Sequence, residues 1–181
     1  EDFFQRNNNE LVATWGNLVN RVLSFTWKNF EGKIPEPGEL RQSDEELLDA
    51  IQVGFNSVGQ LIERVELKAA IGESMRLATE VNKYLDVHAP WFEIKTDRNE
   101  AAKSLYTAIQ AIDWLKLIFA PFLPDTSERL NSILDYEQTI FGKPETQSVE
   151  DKLGEHSVLT LNQSDAQVKT GQDLWQAGWI E

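Results

Sequence analysis

Apolar residues recur every three to four positions through most of this chain, and that period constrains the fold more than any other feature. Because each such segment has one apolar face to bury, the segments pack most simply against one another as a bundle. The period predicts five helices, over residues 3–29, 43–65, 67–85, 97–119 and 125–134. In the second of these, the apolar stripe is Leu47, Leu48, Ile51, Phe55, Val58, Leu61, Ile62 and Val65. The sequence therefore predicts an all-α fold, a helical bundle of about five helices.

Prolines and capping residues mark where these helices begin and end. Pro90 ends the third helix, because the residue that precedes a proline is driven towards extended backbone geometry. Pro121 and Pro124 stop the fourth helix in the same way. The second helix is expected to begin with a capping box that runs from Ser43 to Glu46.

The C-terminal part of the chain is polar and has no helical period. We therefore predict a helical domain over residues 1–142, followed by an irregular C-terminal extension over residues 143–181. One short stretch, 158–161, alternates between apolar and polar residues. Trp175 and Trp179 would be costly to leave in water, so the extension is expected to pack back on the bundle or to be partly ordered.

Composition excludes several classes of protein. The 181 residues carry a formal charge of −13, which argues against a protein that holds nucleic acid mainly through its phosphates. The chain has no cysteine, no signal-peptide pattern and no apolar run of about 18 residues. We therefore expect a cytoplasmic protein without disulfides and without a membrane partner.

No pattern of catalytic or metal-binding residues is present in the sequence. His88 and His156 are the only histidines and lie far apart, which argues against a metal site or a catalytic triad. The chain also has no Gly-rich loop of the kind that binds phosphates. We therefore expect no catalytic residue, no metal and no cofactor in this chain, and a function in binding.

The first helix places two polar side chains one turn apart, away from its apolar face. Asn17 and Arg21 are four residues apart and therefore project side by side, and Asn20 lies on the same side of the helix. A carboxamide and a guanidinium held together on a rigid helix suit a planar, hydrogen-bonding ligand such as a nucleobase. The simpler interpretation is that these side chains only contact water.

Four segments, taken together, indicate a family. In chain order they are WGNLVNRV at 15–22, VNKYLDVHAPW at 81–91, KTD at 95–97 and APFLPDTS at 120–127. Over roughly residues 3–142, their order and spacing resemble the anticodon-binding domain of methionyl-tRNA synthetases. One such motif would be weakly specific, whereas four in sequence are strongly specific.

The resemblance implies a role for three side chains. In the family, the tryptophan of the Ala-Pro-Trp motif stacks on the first anticodon base, and this role falls on Trp91. Asn17 and Arg21 match the asparagine and arginine that hydrogen-bond anticodon bases. One turn before Asn17, many members have a further asparagine, where this chain has Ala13. The third contact is therefore absent, or Asn20 or a backbone group replaces it.

Other polar residues of the motifs are expected to have auxiliary roles. Asn20, Lys83 and Lys95 are candidates for auxiliary contacts or for contacts with phosphates next to the anticodon, which carry no base preference. Asn82 is expected to hold a helix end or the turn at Pro90 through hydrogen bonds to the backbone. Trp91 itself is expected in a connection just past the end of a helix.

The resemblance implies a tRNA-recognition module that reads the CAU anticodon of methionine tRNA, within the ATP-dependent ligase that charges this tRNA with methionine. The nucleotide-binding signatures of class I synthetases are missing, so the chain is expected to be a fragment that is inactive alone. ATP, with Mg²⁺, would belong to the catalytic domain of the full-length enzyme.

Two alternatives to this function stay open. One is the anticodon-binding domain of another class I synthetase, for isoleucine, valine, leucine or cysteine. The other is a helical protein-interaction module whose acidic surface binds a basic partner. The expected partners are tRNA, through its anticodon loop, and the catalytic domain of the same chain, with no membrane and no DNA.

Overall fold

A computed structural model describes residues 11–137, 139–141, 144–151, 154–161 and 169–174. Its helices are α1 (Asn17–Asn29), α2 (Gln42–Glu63), α3 (Leu67–His88), α4 (Pro90–Glu93), α5 (Arg98–Phe119) and α6 (Pro124–Ile133). A turn of wider π-helix, Val12–Gly16, leads directly into α1. Five of these helices are at least ten residues long, which confirms the predicted all-α bundle. The part of the first predicted helix that precedes residue 11 lies outside the described residues.

Helix α5 forms the centre of the bundle. Both α2 and α3 pack against it and against each other, and α1 crosses the same helix. Apolar side chains from all of these helices meet in one core. Trp15, in the π turn, stacks on Phe119 at the end of α5 with 4.9 Å between ring centroids. Most residues of the predicted apolar stripes pack in this core, as the hydrophobic effect requires. The exceptions in the α2 stripe are Phe55, which is 38% exposed, and Val65, which lies beyond the end of α2 and is 77% exposed.

Helix α2 begins earlier than its predicted capping box. Its first residue is Gln42 and its N-cap is Arg41. The carboxylate of Asp44 accepts a hydrogen bond from the backbone N–H of Arg41, at 2.8 Å. The reciprocal bond of the capping box is thus made by Asp44 and not by Glu46. The shift has a tertiary cause, because Asp44 is buried and also accepts a hydrogen bond from the hydroxyl of Tyr84 at 2.6 Å.

The C-terminal extension differs from the irregular chain that we expected. Strands β1 (Pro144–Asp151) and β2 (Gly154–Leu161) form an antiparallel hairpin, in which Pro144 pairs with Leu161 and Asp151 with Gly154. Only the end of β2 alternates clearly between apolar and polar residues, whereas β1 consists mostly of polar residues. A pattern this weak does not predict a strand. Gly154 has φ +117°, which glycine adopts without a steric penalty.

A later segment of the extension returns to the bundle. The backbone N–H of Ile34 donates to the carbonyl of Gln172 at 2.9 Å, and that of Leu174 donates to the carbonyl of Gly32 at 2.6 Å. The side chain of Leu174 is 3% exposed. Trp175 and Trp179 lie outside the described residues, and the division into domains at residue 142 stays a prediction.

Candidate nucleic-acid interface

The structure brings Arg21 and Trp91 into direct contact. Arg21 lies on α1 and Trp91 on the single turn α4, yet the guanidinium carbon of Arg21 is 4.6 Å from the centroid of the indole ring. This is a cation–π arrangement, in which the charge is attracted to the electron-rich face of the ring. Two residues that are 70 positions apart in sequence thus form one surface cluster.

The backbone around Pro90 directs Trp91 towards α1. Helix α3 ends at Ala89, which has the left-handed φ of +38°. Pro90 then occupies the first position of α4, where its missing N–H costs nothing. Trp91 therefore lies just past the end of α3, as expected, and the connection there is a single helical turn.

Trp91 is half-buried, so it is neither a core residue nor a freely exposed one. The ring of Phe25 packs edge-on against it, with 6.5 Å between centroids and an interplanar angle of 85°. An indole held in this way keeps part of its surface in water while its orientation is fixed. A fixed, partly exposed aromatic ring is suited to stacking with an unpaired base.

Asn82 holds the guanidinium of Arg21, which the sequence did not suggest. The Nη2 of Arg21 donates to Oδ1 of Asn82 at 3.0 Å. The amide nitrogen of Asn82 donates to the backbone carbonyls of Ala78, at 3.1 Å, and Thr14, at 3.4 Å. Asn82 does bond to the backbone, as expected, but its partners are neither the end of α3 nor the turn at Pro90. Sequence spacing carries no signal for the Arg21 contact, because it depends on how α1 crosses α3.

Asp86 supplies a second, weaker contact to Arg21. The Nη1 of Arg21 is 4.0 Å from Oδ1 of Asp86, and the two side chains are 40% and 71% exposed. An ion pair at this distance, between exposed groups, contributes little free energy. Of the polar contacts of Arg21, the hydrogen bond to Asn82 is therefore the one that defines its direction.

The two predicted asparagines of α1 differ in their surroundings. Asn17 is exposed one turn before Arg21, on the same face of the helix, and within the part of the chain that the structure describes its side chain has no hydrogen-bond partner. Its donors and acceptor are available to a ligand. Asn20 is also exposed, but its Oδ1 accepts a hydrogen bond from the hydroxyl of Ser24 at 3.0 Å.

The two predicted lysines have partners away from the Arg21–Trp91 contact. Lys83 is exposed and pairs with Glu80, at 3.1 Å, one turn back on α3. Lys95 lies with its Nζ 5.7 Å from the ring centroid of Phe92, which is itself 66% exposed. The structure therefore does not bring Lys83 or Lys95 into contact with Arg21 and Trp91. Phe92 was missed by the sequence analysis, although it directly follows the Ala-Pro-Trp motif.

A buried polar network anchors the turn that carries Trp91. The hydroxyl of Ser104, on α5, donates to Glu93 of α4 at 2.8 Å and accepts from Arg41 at 2.8 Å. Arg41 also lies 3.7 Å from Glu93 and 3.0 Å from the hydroxyl of Tyr84. We call Arg41, Asp44, Tyr84, Glu93 and Ser104 the Arg41 cluster. Through Glu93, it links α4, the turn that carries Trp91, to α2, α3 and α5.

Burial and charge shift the pKa values of the groups in and around this cluster. Burial raises the pKa of Asp44, but hydrogen bonds from Arg41 and Tyr84 outweigh it, so the pKa lies below its ordinary value. Burial, together with the nearby Asp44, raises the pKa of Tyr84. Burial and the positive charge of Arg41 lower the pKa of His88. The ring of His88 contacts that of Tyr84 at a tilt of 43°, and its Nε2 is 3.2 Å from the hydroxyl of Ser43.

The described residues show no sign of a membrane span or of a metal site. None of its helices is both long enough and apolar enough to cross a membrane. Within the same residues, there is no group of three His, Cys, Asp or Glu side chains that could hold a metal ion.

Comparison with known proteins gives a consistent family. A family model described as the anticodon binding domain of methionyl tRNA ligase matches residues 34–167. The methionine–tRNA ligase of Thermomicrobium roseum is 49% identical over 187 residues, covering 100% of this chain and 30% of that protein. The methionine–tRNA ligase of Chloroflexus aurantiacus is 48% identical over 162 residues, covering 89% of this chain and 27% of that protein. The chain thus spans less than a third of the length of these relatives.

A solved structure agrees with these sequence matches. The crystal structure of Mycobacterium tuberculosis methionyl-tRNA synthetase bound by methionyl-adenylate superposes with a TM-score of 0.70 and 25% sequence identity. The match covers 74% of this chain and 27% of that one. Fold, family model and relatives all lead to the same assignment: the chain belongs to the family of anticodon-binding domains of methionyl-tRNA ligases.

Proposed function

We propose that this chain reads the CAU anticodon of methionine tRNA, with Asn17, Arg21 and Trp91 as the base-contacting residues. The observation that supports this most is the contact between Arg21 and Trp91, at 4.6 Å. It joins a charged hydrogen-bond donor to a stacking surface on a rigid part of the bundle. Single-stranded RNA loops are recognised by this combination of aromatic or guanidinium planes and hydrogen bonds to base edges.

The three side chains would divide the work of recognition. The exposed part of Trp91 stacks on the first anticodon base, whatever its identity, because every base has an aromatic face. Because Arg21 contacts Trp91, its N–H donors beyond the one given to Asn82 can bond acceptor atoms on the edge of that same first base. Asn17 can both donate and accept, so it discriminates between edges. The acidic net charge is compatible with this mode, since the specificity comes from bases and not from phosphates.

The activity that we propose for the full-length protein is the ATP-dependent ligation of methionine to its tRNA. The relatives named above are all methionine–tRNA ligases, which favours methionine over isoleucine, valine, leucine or cysteine. ATP and Mg²⁺ would be held by residues beyond this chain, in the catalytic domain, and the protein would work in the cytoplasm. Anticodon binding would contribute to catalysis if its energy is realised in the transition state. Asn20, Lys83 and Lys95 are proposed as auxiliary or phosphate contacts.

The test is binding of the full-length protein to two anticodon stem-loops, one with CAU and one with its first base changed. A single good polar contact discriminates by about 1–3 kcal/mol, so we expect the CAU loop to bind about 5- to 150-fold more tightly. Equal affinity for the two loops would contradict base reading. Aminoacylation assays with each candidate amino acid test the specificity of the full-length enzyme.

Trp91→Ala separates RNA binding from a purely structural role. Loss of a stacking surface weakens binding by about 1–3 kcal/mol per base, so we expect the dissociation constant for the CAU loop to rise about 5- to 150-fold. The matched control is Trp114→Ala. Trp114 is also half-buried and also packs edge-on against a phenylalanine, Phe55, at 5.5 Å.

Both tryptophan variants are expected to lower the melting temperature, because both remove packed aromatic surface. Only Trp91→Ala is expected to weaken RNA binding. For a protein-interaction module, Trp91→Ala would also reduce stability but would leave RNA affinity unchanged, so RNA affinity is the measurement that separates the two functions.

A further inference from the structure

Asn82 is the polar side chain that connects the candidate base-reading residues to the rest of the bundle. It lies on α3, is half-buried, and makes three hydrogen bonds, to Arg21, Ala78 and Thr14. The contacts with Arg21 and Thr14 join segments that are distant in sequence, and the roles proposed for Asn17, Arg21 and Trp91 do not explain them. Their geometry indicates what Asn82 does for Arg21.

The two carbonyl partners fix which way the amide of Asn82 points. A carbonyl oxygen can only accept, so the NH₂ group must face Ala78 and Thr14. The oxygen of the amide is then turned towards Nη2 of Arg21, which can only donate. A flipped amide would oppose like groups at all three contacts. The orientation therefore follows from the network itself.

The oriented amide oxygen of Asn82 restricts the conformations of the Arg21 side chain. A half-exposed arginine ordinarily samples many rotamers, and ordering it on binding costs free energy. The cation–π contact holds the guanidinium over the indole of Trp91, 4.6 Å from the ring centroid, but does not fix the direction in which its N–H groups point. The hydrogen bond to Asn82 supplies this direction, and the distant Asp86 adds little. Arg21 is thereby held with its other N–H groups turned away from Asn82.

The same amide reaches the turn that precedes Asn17. Its second acceptor, the carbonyl of Thr14, belongs to the π turn Val12–Gly16, where the wider winding changes the usual helical hydrogen bonding. Asn17 is the next residue after this turn. One amide on α3 thus sets the position of Arg21 and of the backbone that leads into Asn17.

We propose that Asn82 is a positioning residue for anticodon reading: it preorganises Arg21, and the turn before Asn17, for contact with the bases. This inference rests on the proposed function, because it concerns the same site. It assigns to Asn82 no contact with RNA. The expected consequence is that Asn82 affects base discrimination only through Arg21.

The test is a double-mutant cycle in the full-length protein with Asn82→Ala, Arg21→Ala and the double variant. The readout is the ratio of dissociation constants for the CAU loop and the loop with its first base changed. We expect Asn82→Ala to lower this ratio by about tenfold, the size of one oriented contact. In the Arg21→Ala background, Asn82→Ala should change the ratio by less than about twofold.

Asn29→Ala is the matched control. The amide nitrogen of Asn29 donates to the carbonyl of Phe25, four residues back, at 2.8 Å, as that of Asn82 does to Ala78. Asn29→Ala removes a similar amide–carbonyl hydrogen bond but leaves the contact between Asn82 and Arg21 in place. It should therefore leave the ratio of dissociation constants unchanged. If Asn82→Ala does not fold, Asn82→Ser replaces it, because its hydroxyl can still donate to the i−4 carbonyl.

The outcomes distinguish this inference from the proposed function. If the unmodified protein binds both loops equally, the proposed function is wrong. If it discriminates, but the effect of Asn82→Ala is absent or is equally large with and without Arg21, the positioning role is wrong. A reduced ratio that vanishes in the Arg21→Ala background supports the positioning role.

Discussion

Lys116 shows at the scale of one residue what a buried charge requires in this bundle. Its side chain is 1% exposed, and its ammonium donates to Asp113 and to Asn131, each at 2.7 Å. It also lies 4.0 Å from the ring centroid of Tyr136, whose hydroxyl donates to the second oxygen of Asp113. Burial lowers the pKa of Lys116, although the charge of Asp113 opposes this shift. The ion pair is tolerated because its polar atoms have partners.

We predict that Asp113→Ala strongly destabilises the protein. The substitution leaves the ammonium of Lys116 buried without its counter-charge, and breaking a buried pair in this way costs about 3–5 kcal/mol. The measurement is the free energy of unfolding from urea denaturation. The control is Glu73→Ala, which breaks the pair with Arg76, also at 2.7 Å and also three residues apart, but near the surface, with Glu73 23% and Arg76 52% exposed. Loss of that pair should lower the free energy of unfolding by only about 0–1 kcal/mol. Similar decreases for both variants would refute the argument.

At the scale of the elements, close packing of α2 on α3 depends on Gly54. A Cβ atom built on Gly54 would lie 2.4 Å from Cδ1 of Leu77, which is a core residue of α3. The two helices approach so closely at this point that there is no room for a methyl group, because protein interiors are close-packed. The sequence shows a glycine within a helical pattern, but not what lies opposite it.

We predict opposite effects for two Gly→Ala substitutions in α2. Gly54→Ala should lower the free energy of unfolding by about 1–3 kcal/mol, because Leu77 must leave its rotamer. Gly59→Ala, on the same helix with nothing within 4 Å of the added Cβ, should raise it by about 0.5–1 kcal/mol through better helix propensity. Chemical denaturation of both variants tests this. Stabilisation by Gly54→Ala would show that α2 and α3 can separate at little cost.

At the scale of the whole molecule, stability should fall as the pH is lowered from 7. The pKa values of His88 and Asp44 are both lower in the folded protein than in an unfolded chain. The folded state therefore binds fewer protons, and stability is lost as the pH decreases. The loss due to His88 begins as the pH falls below its unfolded pKa of about 6.5, and the loss due to Asp44 begins below about 3.9. The two losses should appear in this order on acidification.

Urea denaturation at pH 7, 5 and 3.5 measures this dependence. We expect His88→Gln to remove part of the loss between pH 7 and 5 and to leave the loss below pH 4. Equal losses between pH 7 and 5 for the variant and the unmodified protein would show that His88 is not responsible. The charge of Arg41 is present throughout, since its pKa is raised by Asp44, Tyr84 and Glu100 despite its burial.

The predictability of the site differs from residue to residue. Asn17 and Arg21 could be placed on one face from spacing alone, because four residues make about one turn of helix. The meeting of Arg21 with Trp91 could be expected only through the family resemblance. The roles of Asn82 and of Arg41 could not be inferred, because each bonds residues that are remote in sequence. Their partners depend on how the helices cross.

The sequence alone determined the number of long helices, their approximate ends and the face that each one buries. These follow from apolar spacing, proline and glycine, which act within a few residues along the chain. Only the tertiary structure decided that Asp44 caps α2, that the extension contains a hairpin, and that Asn82 holds Arg21. The hairpin depends on pairing between two neighbouring strands, whose weak sequence pattern does not predict it. The other two depend on hydrogen bonds between segments distant in sequence, from Tyr84 to Asp44 and from Arg21 to Asn82. Such bonds form only after the apolar faces have fixed how the helices pack.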